Sequence, residues 1–210
     1  MVEVGGGVTA ATPQSITLRV PYALGVVCNG TTISILPADS LVFAQASFRG
    51  YAWRDSTGSY VYTDPATSVT PGAVATCTAA SVTTVSGGSA LIVAPALSLN
   101  AKVGDNVLLF QSVNYAFGPS ALFPGRWGLF RTVLPAGAAE ELAAPFDSAT
   151  TSFAFFNLNA DTAQSAVPAL ADIRGIELRL TGQSTLIPRG STRYMSSTLR
   201  TGILFANRNR

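Results

Sequence analysis

The chain has 210 residues, enough for one domain with a sizeable loop insertion, and 48% of them are apolar while only 11% are charged. That balance excludes disorder driven by self-repulsion. It also argues against long solvent-exposed helices, because there is a single lysine (Lys102) and glutamate is confined to Glu3, Glu140, Glu141 and Glu177. The expected fold is therefore mainly β, an α+β chain of antiparallel sheets with little helix.

Residues 1–14 are rich in Gly, Thr and Ala and read as a flexible lead-in; a Met followed by such a segment has the look of an excised domain. Neither a signal peptide nor a run approaching the ~18 apolar residues of a membrane span is legible, so the chain as given is expected to be soluble. Residues 15–207 read as a single β-rich domain and 208–210 as a polar tail. Ser15–Val20 alternates with period two and predicts a half-buried strand stopped by Pro21. Asn29-Gly30 between two β-branched runs predicts a hairpin with a type I′ turn. A short strand is expected over Leu41–Phe43 after a turn at Pro37–Ser40.

Arg49–Tyr62 predicts a second hairpin around Asp55–Gly58, with Tyr51 and Trp53 on one arm and Tyr60 and Tyr62 on the other. Such aromatics usually cover a sheet as cross-strand pairs, and they could instead form a ligand-binding face. Residues 63–90 read as a long loop or edge insertion. Further strands are expected over Asn106–Tyr115, Trp127–Leu134, Thr151–Leu158 (central and buried), Ile173–Thr181 and Ser197–Ala206. The segment Ala138–Ala144 is the best helical candidate and ends at Pro145.

The search for chemistry narrows the function classes. The chain has no histidine, which removes histidine-dependent nucleophilic catalysis and most zinc or copper sites. Glu140 and Glu141 are neighbours, and Asp105, Asp147 and Asp161 stand alone as turn or cap residues, so no carboxylate pair across a cleft is evident. Gly25–Gly30 has the glycine spacing of a phosphate loop without its lysine. No catalytic, cofactor or metal residue is assigned, and the chain is not expected to be an enzyme. Cys28 and Cys77 can form one disulfide, implying an oxidising compartment, or remain two buried thiols. Residues 171–210 hold seven arginines against Asp172 and Glu177, either a solvated face or a contact patch for an acidic partner or lipid headgroups; the pattern does not suit nucleic acid.

The downstream half carries a family resemblance. A strand ends in Tyr115; Gly128-Leu129-Phe130-Arg131, Glu140-Glu141-Leu142-Ala143, the aromatic Phe153–Phe156 run, Ile173–Leu180 and Leu204–Asn209 follow in order. This progression resembles the C-terminal half of minor pilins and minor pseudopilins, in particular the W-type minor pilins and the J-type pseudopilins of type II secretion. The resemblance implies an α+β ectodomain and a non-catalytic subunit, placed with other pilin or pseudopilin subunits at or near the tip of a periplasmic or extracellular bacterial filament. It implies contact with the membrane only through an N-terminal hydrophobic helix that this sequence lacks, and a Cys28–Cys77 bridge would suit the periplasmic side. On this reading Phe153, Phe155, Ile176, Leu178 and Leu180 are expected in one core between sheet and helix. Two other assignments fit the same composition: a β-sandwich adhesin using Tyr51, Trp53, Tyr60 and Tyr62, and a self-assembling shell protein.

Overall fold

The structure is a computed structural model that describes residues 6–43, 46–158 and 160–205. The fold is mainly β, as the composition predicts. Among the described residues thirteen antiparallel strands belong to one hydrogen-bonded sheet, and the helices are short. The chain divides into two compact units, one formed by residues up to Arg19 together with those from Val113, the other by Val20–Ser112. Two long strands, β2 (Ser15–Val27) and β8 (Asn106–Pro119), contribute to both.

The middle unit is built on the β2 hairpin. β3 (Thr32–Ile35) returns along β2, then pairs on its other side with β7 (Ser89–Ala94), which pairs with β6 (Ser68–Gly72). β4 (Gly50–Arg54) pairs with β8 on one side and with β5 (Tyr60–Thr63) on the other. Val27, Ile33, Tyr51, Leu91, Val93 and Leu109 lie at the centre of its core. The segment 63–90 is thus partly ordered: it supplies the edge strand β6 and a short helix, α2 (Val74–Ala79).

Three expectations for this unit change. β2 does not stop at Pro21 but continues to Val27, and Pro21 sits between the part that pairs with β1 and the part that pairs with β3. The Asn29-Gly30 turn forms its hairpin without positive φ at either residue. Instead Asn29 Oδ1 accepts hydrogen bonds from the backbone N–H groups of Thr31 (2.9 Å) and Thr32 (2.7 Å), so the side chain closes the loop. Leu41–Phe43 is helical, as the end of α1 (Pro37–Phe43). Pro37 suits a first helical position and Asp39 supplies acidic charge to the first turn, signals that outweigh a three-residue apolar run.

The other unit contains β1 (Val8–Thr12), β9 (Trp127–Leu134), β10 (Glu140–Phe146), β11 (Ser152–Asn157), β12 (Ile173–Gln183) and β13 (Ser196–Leu204). β1 pairs with Ser15–Leu18 of β2, so residues 8–12 are a strand and not a flexible lead-in. Residues 1–5 of that lead-in, and the polar tail 208–210 with Ala206 and Asn207, lie outside the described residues. The helix expected over Ala138–Ala144 is absent: Glu140–Phe146 is a strand against β9. Glu140 stands opposite Arg131, with 3.7 Å between their charged groups, and tertiary pairing overrides a marginal helix propensity. β11 is buried, but it is not central; it ends the strand order beside β12.

Phe153 faces Leu178 and Phe155 faces Ile176 across the β11–β12 pair. These four and Leu180 share one hydrophobic cluster with Ile16, Phe117, Phe146 and Phe205. No α-helix covers that cluster among the described residues of this unit, where the helical content is one 3-10 turn at Leu170–Asp172. Its cover comes from strands.

Candidate interaction surface

The most unusual element is β13. It runs antiparallel to β12 in unbroken register, from Gly175 opposite Leu204 to Gln183 opposite Ser196. The connection turns at Gly190, whose φ of +84° suits glycine, and closes where Ser184 N–H donates to the Met195 carbonyl at 2.8 Å. All nine residues of β13 are exposed. Strand alternation puts Leu199, Thr201 and Ile203 on the face shared with Ile176, Leu178 and Leu180. That apolar face is therefore covered over β12 and open over β13, where Leu199 is 59% and Ile203 is 62% exposed.

The opposite face carries Thr198, Arg200, Gly202 and Leu204 beside Thr181, Arg179, Glu177 and Gly175. Arg179 Nε donates to Glu177 Oε1 at 2.6 Å, and its remaining donors reach Ser165 Oγ and the Ala163 carbonyl, each at 2.9 Å. Arg200 lies directly opposite Arg179 and is exposed. Gly202 sits close under Phe156: a Cβ there would stand 3.2 Å from the ring, which would have to give by a few tenths of an ångström. A shallow depression between Asp147, Thr150, Arg179, Gln183 and Arg200 opens on this face. It gathers hydroxyls, an acid and two arginines in an exposed setting, with no nucleophile–base pair.

β13 pairs on one side with β12, and no strand pairs its other edge among the described residues. Ser184–Met195 and Arg174–Phe205 bond across the β12–β13 pair in the same register. The odd-numbered residues of β13 therefore bond to β12, while the N–H and C=O groups of Thr198, Arg200, Gly202 and Leu204 point to the open edge. Leu122, Leu186 and Met195 are also exposed in the same unit, and the Arg126 guanidinium stacks 4.0 Å from the Tyr194 ring centroid.

The aromatic hairpin forms as expected, but its four aromatics do not share a face. Tyr51 opposes Thr63 and Trp53 opposes Val61, while Tyr62 opposes Ala52 and Tyr60 opposes Arg54. Tyr51 and Trp53 are 0% and 4% exposed within the core, and the Tyr51 hydroxyl donates to the Pro95 carbonyl at 2.7 Å. Tyr62 packs edge-on against Phe110 on the other side. A flat platform of all four rings is not formed.

Cys28 and Cys77 are joined in a disulfide that ties α2 to the β2–β3 hairpin, and both are fully buried. The isolated acids serve locally. Asp105 accepts from Lys102 N–H, Asp147 accepts from Thr150 Oγ1, and Asp161 pairs with Arg174 at 3.1 Å. Glu141 accepts from Ser120 Oγ and from Ala121 N–H, anchoring the loop after β8. Gly25–Gly30 spans the β2 arm and hairpin loop, where it forms no phosphate cradle. Burial pushes the Tyr22 phenol above its usual range, and its hydroxyl has no hydrogen-bond partner among the described residues.

The openness of β13 was not legible in the sequence, where Ser197–Ala206 reads as an ordinary last strand. Its weak signal is composition: Ser196-Ser197-Thr198 and Arg200-Thr201-Gly202 leave Leu199, Ile203 and Leu204 as the only apolar residues of Ser196–Leu204, too few to bury a strand on either face. No protein-family model matches the chain, and no curated protein or solved structure is significantly similar to it.

Proposed function

We propose that the chain is a non-catalytic assembly subunit, a minor pilin or pseudopilin ectodomain of a bacterial type IV pilus-like or type II secretion filament, working with other subunits of that kind. The observation that carries the assembly part is β13: nine residues exposed on both faces, one edge open, and three large apolar side chains in water. Monomeric proteins usually blunt or cover such an edge, so one left long and apolar is a surface for another chain. The disulfide supports an oxidising location on the periplasmic or extracellular side. The filament identity rests on the ordered resemblance of residues 115–209. The buried Tyr51 and Trp53 disfavour the aromatic adhesin face.

Sequencing the encoding gene upstream of these residues tests the reading. The expected result is a Gly followed by a Phe-Thr-Leu-(Ile/Val)-Glu type segment and ~20 apolar residues, long enough for a membrane-anchoring helix. A cleavable secretory signal at that place would overturn it in favour of a secreted binding module, and recovery of the chain as a large closed particle would overturn it in favour of a shell protein.

A further inference from the structure

The geometry points to a particular occupant for the open edge of β13: the β13 strand of a second copy of this chain, paired antiparallel about Thr201. The inference rests on reading the chain as an assembly subunit and adds what its exposed strand recognises.

The argument is one of register. Directly opposed residues in an antiparallel pair lie on the same face, so an apolar row must meet an apolar row. Centring the pair on Thr201 sets Leu199 opposite the partner's Ile203, Ile203 opposite the partner's Leu199, and Thr201 opposite its own copy. Leu199, Thr201 and Ile203 are then matched among themselves, and Ser197, the fourth exposed position of that face, lies beyond them towards the end of the pair. Thr198 and Arg200 face the partner's Leu204 and Gly202. These are the residues whose N–H and C=O groups point outward, so four closely spaced pairs form, each exchanging two hydrogen bonds.

Charge selects the same register. Centring on Arg200 instead would oppose two arginines directly, which is destabilising. Centred on Thr201, each Arg200 meets the partner's Gly202, where no side chain stands in the way. Beside that glycine lie the Phe156 ring and, on the neighbouring strand, the Glu177 carboxylate. Strands are ~4.8 Å apart, so the long guanidinium side chain crosses Gly202 towards an aromatic ring and an acid. Glu177 is partly buried and already holds Arg179, and a second arginine would use its remaining acceptor capacity. The sheet then continues from one copy into the next, and the exposed Leu199 and Ile203 are covered.

The test is a cysteine cross-link combined with a measured oligomeric state. Both natural cysteines are bridged, so an introduced one is the sole free thiol. Thr201→Cys places two thiols on the twofold axis in the close, non-hydrogen-bonded pair type, with Cβ atoms ~4.5–5.5 Å apart, near disulfide range. It should oxidise to a covalent dimer in high yield. Arg200→Cys is offset diagonally from its copy by ~7–8 Å and should not. Sedimentation equilibrium should show a concentration-dependent dimer of the parent chain. Arg200→Pro deletes an outward N–H while sparing the β12 ladder, and should weaken that dimer at least about tenfold, with the circular dichroism spectrum unchanged. A parent chain monomeric up to ~1 mM overturns the proposal, as does a dimer that Thr201→Cys fails to trap. A monomer whose gene carries the pilin-type leader defeats the self-pairing alone. A Thr201-linked dimer with a cleaved secretory signal defeats the filament identity alone.

Discussion

Gly50 on β4 lies directly opposite Phe110 on β8, and a Cβ at Gly50 would stand 2.7 Å from the Phe110 ring and 2.2 Å from the Thr63 carbonyl. The ring lies over the glycine, between β4 and Tyr62 of β5. Neither obstacle can retreat cheaply, because one is backbone and the other a buried ring. Gly50→Ala should therefore destabilise the chain by roughly 1–3 kcal/mol through overpacking. Gly118→Ala is the control: its nearest atoms lie 3.8 Å away, and the change should stay within about 0.5 kcal/mol. Thermal unfolding followed by circular dichroism compares the two, and equal midpoints would refute the packing argument.

The Cys28–Cys77 bridge closes a loop of 49 residues. The chain-entropy estimate gives about 4 kcal/mol for a loop of that size, a large share of a typical domain stability. The double variant Cys28→Ser/Cys77→Ser should lose stability of that order in urea titrations. Because both sulfurs are buried, the native chain should resist dithiothreitol until denaturant opens it, as thiol counting over time would report.

Tyr22 supplies a pH prediction. Its phenol is raised by burial, so the folded state holds the proton more tightly than the unfolded chain does. The associated stability is complete below the ordinary phenol value of ~10 and is lost as pH rises through and beyond it. The unfolding midpoint should fall above pH ~10, and Tyr22→Phe should flatten that fall. At neutral pH the same substitution should be neutral or slightly stabilising, because the buried hydroxyl it removes has no partner among the described residues. A loss above about 1 kcal/mol at pH 7 would show that the hydroxyl is satisfied after all.

Asn114 tests the lateral tie between β8 and the first part of β2. Its Nδ2 donates to Ser15 Oγ at 2.8 Å and Thr17 Oγ1 at 3.0 Å. Asn114→Ala should cost about 1–3 kcal/mol, the range for leaving part-buried hydroxyls without a partner. Asn114→Asp keeps the size but loses the donor, and should fall in the same range. Hydrogen exchange at Ser15–Thr17 should accelerate in both variants.

Much of this fold is decided locally. The alternation of Ile176, Leu178 and Leu180 against Glu177 and Arg179 suffices to make Ile173–Gln183 a half-buried strand, since period two leaves no other arrangement that buries the apolar set. The hairpin at Arg49–Tyr62 follows from turn chemistry: Asp55 Oδ1 accepts from Thr57 N–H and Ser59 N–H, each at 2.9 Å, a closure that an aspartate at a loop start favours. The mainly β class follows from composition alone.

The tertiary structure decided what pairing decides. Glu140–Ala143 has helical propensity worth only tenths of a kcal/mol per residue, and a ready strand partner in β9 outweighs it. The tyrosines of the hairpin fall on opposite faces because the loop from Asp55 to Ser59 sets a register in which Tyr51 meets Thr63; a slip of one residue would have put all four rings together. The open edge of β13 is likewise invisible in Ser196–Leu204. Whether a strand is covered depends on what the remainder of the chain brings against it, and here the described residues bring β12 to one side alone.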